Sequence, residues 1–207
     1  GGYRVPDYDN TISEIDLTTF RLLRQIEVAP NLHRCRADKY GNLWVSSRGT
    51  GPASSSALFC ISPVDGAVRQ KFDVNCTAMQ IVGDTLYYIG TEYGQSSQKT
   101  AKSAGLINVR TGEGIATTIF SAKEIQDAEC LYGIAVNPET KDFYIMDAKN
   151  YVSSGELLHC KSDGTFDYRV WTGDVPCEAA FVSNHNIAPQ PTPQPTVDSR
   201  YLYKVLE

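Results

Sequence analysis

The chain has 207 residues, a formal net charge of -5, 42% hydrophobic and 21% charged residues, with twelve Tyr and sixteen Gly. That length holds one large domain or two small ones, and the Tyr and Gly content favours β structure with many turns. The acidic balance gives no electrostatic reason to bind nucleic acid or anionic membrane surfaces, and no apolar run reaches the roughly 18 residues that cross a bilayer.

In chain order, the first predicted elements are two strands in "SEIDLTTFRLLRQIEV", within residues 11–28. "LHRCRADKYGNLWVSS" (Leu32 to Ser47) follows as an apolar alternation, a polar turn and a second apolar strand. "ALFCISPVDGAVRQKFDV" is again a strand pair about a Gly-containing turn. The first phrase returns as "AMQIVGDTLYYIG", with a tight Gly83-Asp84 hairpin, and as "LYGIAVNPETKDFYIMD". The second returns as "GLINVRTGEGIATTIF" and "GELLHCKSDGTFDYRVW", and its glycines Gly66, Gly112 and Gly164 recur at 46 and 52 residues. One helical turn is predicted, in "SAKEIQDAE" (Ser121 to Glu129).

Each complete unit is therefore four short antiparallel strands recurring about every 40–50 residues, the sequence sign of a β-propeller blade. The expectation is an all-β propeller over residues 1–184: the third and fourth strands of one blade, three complete blades, and a lone first strand at "EAAFVSN" (Glu178 to Asn184). That is about 3.5–4 blades. A ring typically needs four to eight, so upstream blades or a second copy are expected to complete it. "HNIAPQPTPQPTVDSR" (residues 185–200) carries four Pro and reads as an extended linker, and "YLYKVLE" (201–207) as the opening strand of a further domain.

In such a fold the second-to-third and fourth-to-first connections emerge on one face, around the channel mouth. Here the second-to-third loops are long: "SSRGTGPASSS", "GTEYGQSSQKTAKSAG" and "DAKNYVSSG". Loops longer than a hairpin requires are candidates for function. They nominate Arg48, Tyr93, Lys149, Asn150 and Tyr151 as ligand-binding residues, and the fourth-to-first connections add Asn31, His33, Glu129, Tyr132, Trp171 and Asp174. Aromatic rings and hydrogen-bonding groups around a concave mouth suit a small molecule or glycan.

Catalytic signals are weak. His33 is the one histidine expected on the rim, His159 reads as structural, and His185 falls in the linker. No G-x-S-x-G, C-x-x-C or EF-hand pattern occurs, so no catalytic residue, metal ligand or cofactor is assigned. Cys35, Cys60 and Cys160 sit in apolar strings and read as small buried hydrophobes. Cys76, Cys130 and Cys177 lie in predicted loops, where pairing in an oxidising compartment stays open. "NCT" (Asn75 to Thr77) is formally an N-glycosylation acceptor.

Three stretches carry a resemblance: "IEVAPNLHRCRADKYGNLWVSSRG", "GDTLYYIGTEY" and "YGIAVNPETKDFYIMDAKNYVSSGELLHCKSDGTFDYRVWTGDVPCEAAFV". They resemble the YncE-type, surface-layer-like β-propeller proteins of Bacteroidota, over about Thr11 to Val182. The resemblance implies an exported lipoprotein at the cell surface or outer membrane and makes this chain the C-terminal part of a seven-bladed propeller. It further implies ligand capture without catalysis. One branch of the family captures cobalamin at a TonB-dependent transporter through the loop-bearing face, so a corrinoid is the expected ligand and such a transporter the expected partner. Two alternatives accompany it. A protein or glycan interaction scaffold needs an apolar, aromatic patch. A metal-dependent hydrolase or lyase needs converging ligands at the channel axis.

Overall fold

A computed structural model describes residues 8–51, 55–92 and 101–182. The elements, in order, are β1 (Thr11–Ile15), β2 (Leu22–Glu27), β3 (Leu32–Ala37), β4 (Leu43–Ser47), β5 (Ala57–Ile61), β6 (Val68–Phe72) and β7 (Ala78–Val82). There follow β8 (Thr85–Glu92), β9 (Ala101–Asn108), β10 (Glu113–Ile115), α1 (Lys123–Asp127), β11 (Leu131–Val136), β12 (Phe143–Asp147), β13 (Ser154–Cys160) and β14 (Phe166–Asp174). They form three four-stranded antiparallel meanders, β3 to β6, β7 to β10 and β11 to β14, preceded by the two-stranded sheet β1–β2. The three expected four-stranded units stand in the expected order behind a strand pair, and the arrangement is propeller-like. The expected lone strand is not formed: residues 178–182 carry no strand, and Ser183 and Asn184 lie outside the described residues, as do the linker 185–200 and residues 201–207.

The apolar strings are short and nearly continuous because the first two complete sheets pack apolar side chains on both faces, and the third packs one face on the second. On β4 and β5, Val45, Ala57, Phe59 and Ile61 pack toward β1–β2 with Ile26. Their alternate neighbours Trp44, Leu58 and Cys60 pack the other way, onto Cys76, Met79, Leu86 and Ile107 of the next unit. The largest cluster joins the second complete sheet to the third through Tyr87, Ile89, Ile134, Phe143, Ile145 and Leu158, with Phe120, Ile125 and Ala128 of the α1 region. Three successive interfaces, one between each pair of sheets, are what period-2 side-chain alternation produces when sheets stack in series. A two-layer sandwich would bury one face of each.

The recurring glycines have a common reason. Gly66, Gly112 and Gly164 all turn third strand into fourth at φ of 73°, 72° and 91°. A Cβ on each would meet the preceding unit: Ile26 Cγ2 at 3.3 Å from Gly66, the Gln70 side chain from Gly112, and the Ile119 backbone at 2.5 Å from Gly164. Left-handed backbone and close approach together select glycine. In the two-stranded sheet the same turn keeps its bond, Phe20 N–H donating to Asp16 C=O (2.7 Å) as Gly66 does to Ser62 (2.9 Å) and Gly112 to Asn108 (2.7 Å). Phe20 takes the positive φ, 54°. Gly66 meets Ile26 of β2 as Gly112 meets Gln70 of β6, so β2 holds the place of a fourth strand beside the next sheet.

The first strands of the complete sheets, β3, β7 and β11, run side by side in one direction. Arg34 Nε donates to Thr77 C=O (3.4 Å), Thr91 N–H to Thr77 Oγ1 (3.3 Å), and Leu131 N–H to Thr91 Oγ1 (2.8 Å), which aligns the starts of these strands. Gln80 adds a two-point clasp on Val136, accepting its N–H (2.7 Å) and donating to its C=O (3.2 Å). At the opposite face the first two hairpin turns meet, with Lys39 Nζ and Tyr40 Oη at 2.8 and 2.7 Å from Asp84 Oδ1. The long connections therefore share one face and the tight turns the other.

All six cysteines are free thiols. Cys60 and Cys160 are buried as expected, but Cys35 is exposed: its strand faces a groove rather than a packed sheet. Cys76 and Cys130 lie in loops as expected, and both are buried.

Candidate functional site at the loop-bearing face

Two groups of side chains stand on the rim. The first is built by the β2–β3 and β4–β5 connections. Asn31, at φ 59°, donates through Nδ2 to Gly49 C=O (2.9 Å) and accepts Arg48 N–H at its own carbonyl (3.0 Å). Ser47 Oγ donates to Pro30 C=O (2.5 Å) and accepts Gly49 N–H (3.0 Å). Arg48 Nη2 lies 2.8 Å from His33 Nε2. Burial, reinforced by the positive charges of Arg48 and Arg34, lowers the His33 pKa to about 3. The ring is neutral at pH 7, and Nε2 accepts from the guanidinium.

The second group is built by the connections flanking β11, β12 and β13, and its centre is Asp147, wholly buried at the end of β12. Its oxygens accept Cys130 N–H (2.8 Å), Lys149 N–H (2.9 Å) and Glu129 N–H (3.0 Å). Lys149 Nζ bridges Asp147 Oδ2 (2.9 Å) and Glu156 Oε2 (2.8 Å), and Arg169 Nη1 approaches Glu156 Oε2 at 3.5 Å. Burial alone would lower the Lys149 pKa, but its bonds to Glu156 and Asp147 outweigh burial and raise it. Asp147 behaves in mirror image: burial would raise its pKa, and Lys149 with three backbone N–H groups holds it below the usual carboxylate value. Buried charges persist when paired and hydrogen-bonded in this way.

This lock fixes a strained loop. Lys149 and Tyr151 take φ of 49° and 64°, a region that non-glycine residues seldom occupy. The fold sets Tyr151 edge-to-face against Tyr132, centroids 5.4 Å apart and rings at 86°, and Cys130 Sγ donates to Tyr151 Oη (3.3 Å). Of the six described non-glycine residues with positive φ, Asn31, Lys149, Tyr151 and Val175 lie on this face. The arrangement can stack against a flat or ring-shaped ligand, and the Arg48–His33 pair elsewhere on this face offers polar groups.

The eleven nominated residues divide accordingly. Asn31, His33 and Arg48 come together, as do Glu129, Tyr132, Lys149 and Tyr151. Lys149 is absorbed by two carboxylates, and Asn150 Oδ1 caps its own turn, accepting Val152 and Ser153 N–H at 3.0 and 2.8 Å. Trp171 lies away from the mouth: it sits on the outermost strand, β14, 73% exposed, because that strand is longer than its counterparts β6 and β10. Asp174 ends the same strand, opposite Ser154. Tyr93 lies outside the described residues. His159 is structural as expected, stacked between Tyr144 (4.5 Å) and Tyr168 (4.7 Å), with Nδ1 3.1 Å from Asp167 Oδ2. Sequence reasoning missed Asp147, Glu156 and Cys130. The available signal was a carboxylate closing an apolar string, "FYIMD", since a charge at a buried strand end needs several partners.

No family model and no curated protein matches the chain. Among solved structures it is similar to Kuenenia stuttgartiensis hydrazine synthase, at 9% identity and TM-score 0.56, over 79% of this chain and 44% of that one. It is also similar to a protein of unknown function from Bacteroides caccae, at 16% identity and TM-score 0.56, over 84% of this chain and 59% of that one. At such identities the likeness shows the fold alone, and the chain spans less than two thirds of either structure's length. No helix among the described residues is long and apolar enough to cross a membrane.

Proposed function

We propose that this chain is part of a seven-bladed propeller acting as a non-catalytic, exported cell-surface binding module. It captures a small nutrient at the loop-bearing face and delivers it to a TonB-dependent outer-membrane transporter. A corrinoid such as cobalamin is the ligand proposed. The observation that carries the reading is the Tyr132–Tyr151 pair, held on a strained loop by the buried Asp147–Lys149–Glu156 lock. Strain fixed by buried charge holds a surface in one shape, and a preformed aromatic surface loses little entropy on binding. Titration calorimetry with cobalamin tests it. The expected result is stoichiometric binding, weakened about tenfold or more by Tyr132→Ala or Tyr151→Ala. Absence of heat and of co-elution would remove the corrinoid reading.

A second reading, a protein or glycan interaction scaffold, is favoured by β14, where Trp171, Val170 and Tyr168 are all exposed on an outer edge strand. Exposed aromatic residues on an unpaired edge suit a protein partner. Loss of partner binding in Trp171→Ala with cobalamin binding retained would separate the two.

A further inference from the structure

Arg34 and Arg36 flank Cys35 on β3, so their side chains leave the sheet on the same face. Arg36 lies opposite Trp44, which packs toward the next sheet, while Cys35 lies opposite Val45, which packs toward β1–β2. Main-chain oxygens hold both guanidiniums in place. Arg34 Nε donates to Thr77 C=O (3.4 Å), and Arg36 Nη1 donates to Cys35 C=O (3.1 Å). Both then converge on one acceptor from far along the chain: Glu178 Oε1 accepts from Arg36 Nη2 at 3.1 Å and stands 3.6 Å from Arg34 Nη1. Two positive charges therefore share one carboxylate.

The carboxylate is the replaceable member of this cluster. Its side chain is 59% exposed, against 40% for Arg36 and 22% for Arg34. It belongs to residues 177–182, which carry no strand and are exposed throughout. An ion pair so exposed adds little stability, and an ion from solution can take its place. The arginines keep their carbonyl bonds when it leaves, so the pair stays aimed at the same point. We propose that Arg34 and Arg36 form an anion-binding site, that Glu178 occupies it from within the chain, and that the ligand it fits is a phosphoryl group. A phosphoryl dianion brings two negative charges where Glu178 brings one, and guanidinium forks match its oxygens. The tethered carboxylate also sets a threshold, since a monoanion must compete with a like charge already in place, whereas a dianion gains on it. The site shares no residue with the Tyr132–Tyr151 pair and holds whatever that pair binds.

NMR of the arginine Nε–H signals tests it, on the 207-residue protein titrated with inorganic phosphate or with acetate at constant ionic strength and about pH 8, where phosphate is a dianion. Phosphate is expected to move the Arg34 and Arg36 signals saturably, and acetate at the same concentrations to leave them in place. Glu178→Gln, an exposed and conservative change, should tighten phosphate binding about threefold to tenfold by removing the internal competitor. Arg36→Met should abolish the saturable shift at Arg34. Signals unmoved by phosphate in both wild type and Glu178→Gln would overturn the site. Phosphate binding left unchanged or weakened by Glu178→Gln would overturn the role of the carboxylate as occupant. An equal response to acetate would overturn the phosphoryl assignment, and a saturable shift confined to Arg48 would place the anion elsewhere and overturn the site as well.

Discussion

At the β4–β5 end of the rim, the connection is held by bonds to backbone carbonyls and by a guanidinium donating to a neutral imidazole. At the β12–β13 end, a connection of similar shape is held by two buried carboxylates sharing one ammonium. The two ends use the same topology and opposite electrostatics. Water covers part of the first, so each contact there is worth little and can be exchanged for a contact to solvent or ligand. The second excludes water, so removing the shared ammonium leaves two carboxylates uncompensated, and removing Asp147 leaves three N–H groups without their acceptor. One end is therefore suited to recognition and the other to holding shape.

The largest expected effect would break this contrast if absent. Asp147→Ala leaves three N–H groups without their acceptor and takes from Lys149 one of its two carboxylates, and should cost about 3–5 kcal/mol in denaturant unfolding. Asn31→Ala, at the other end, should cost about 1 kcal/mol. Equal losses would mean that the ends are held alike. Lys149→Met comes next, at about 2–3 kcal/mol, because Asp147 and Glu156 are left buried side by side. Adding Glu156→Gln should restore part of that loss, which sharpens the assignment to charge rather than packing.

The smallest effect concerns pH. His33 has its ordinary value of 6.5 when unfolded and about 3 when folded, so between these values the unfolded state binds the extra proton. Stability attributable to His33 is complete above pH 6.5 and declines as the pH falls toward 3. After allowance for screening at a partly exposed ring, the loss is about 1–2 kcal/mol. Comparing wild type with His33→Gln between pH 7 and 5 isolates it, ahead of most carboxylate titration. Arg48→Met should raise the His33 pKa, read from its imidazole proton shifts.

Much of the fold was legible because its determinants are local. Alternation in "ALFCI" and "FYIMD", the polar corner in "NPETKD" and the glycines at 66, 112 and 164 each act within a few residues, and their recurrence gave strand order and sheet size. The helical turn expected over Ser121 to Glu129 is α1, shortened to Lys123–Asp127. The lone strand at Glu178 was not reliable, because a strand needs a neighbour. Residues 176–181 instead run along the last sheet, with Cys177 C=O close to Gly133 and Phe181 against Tyr144, while Glu178 reaches Arg36 at 3.1 Å.

The candidate site was less legible than the fold. Loop length pointed to one face, but it could not tell Tyr151, paired with Tyr132 in a connection, from Trp171 on the outer edge strand. Nor could it show that Lys149 is already paired. The sequence alone determined the repeating unit, its turns and the face that carries long connections, since these follow from side-chain periodicity and backbone sterics. Which loop residues meet, which charges are buried together and which strand edge stays open were decided only by the stacking of sheets. Burial and pairing are properties of neighbours far apart along the chain, and no local pattern encodes them.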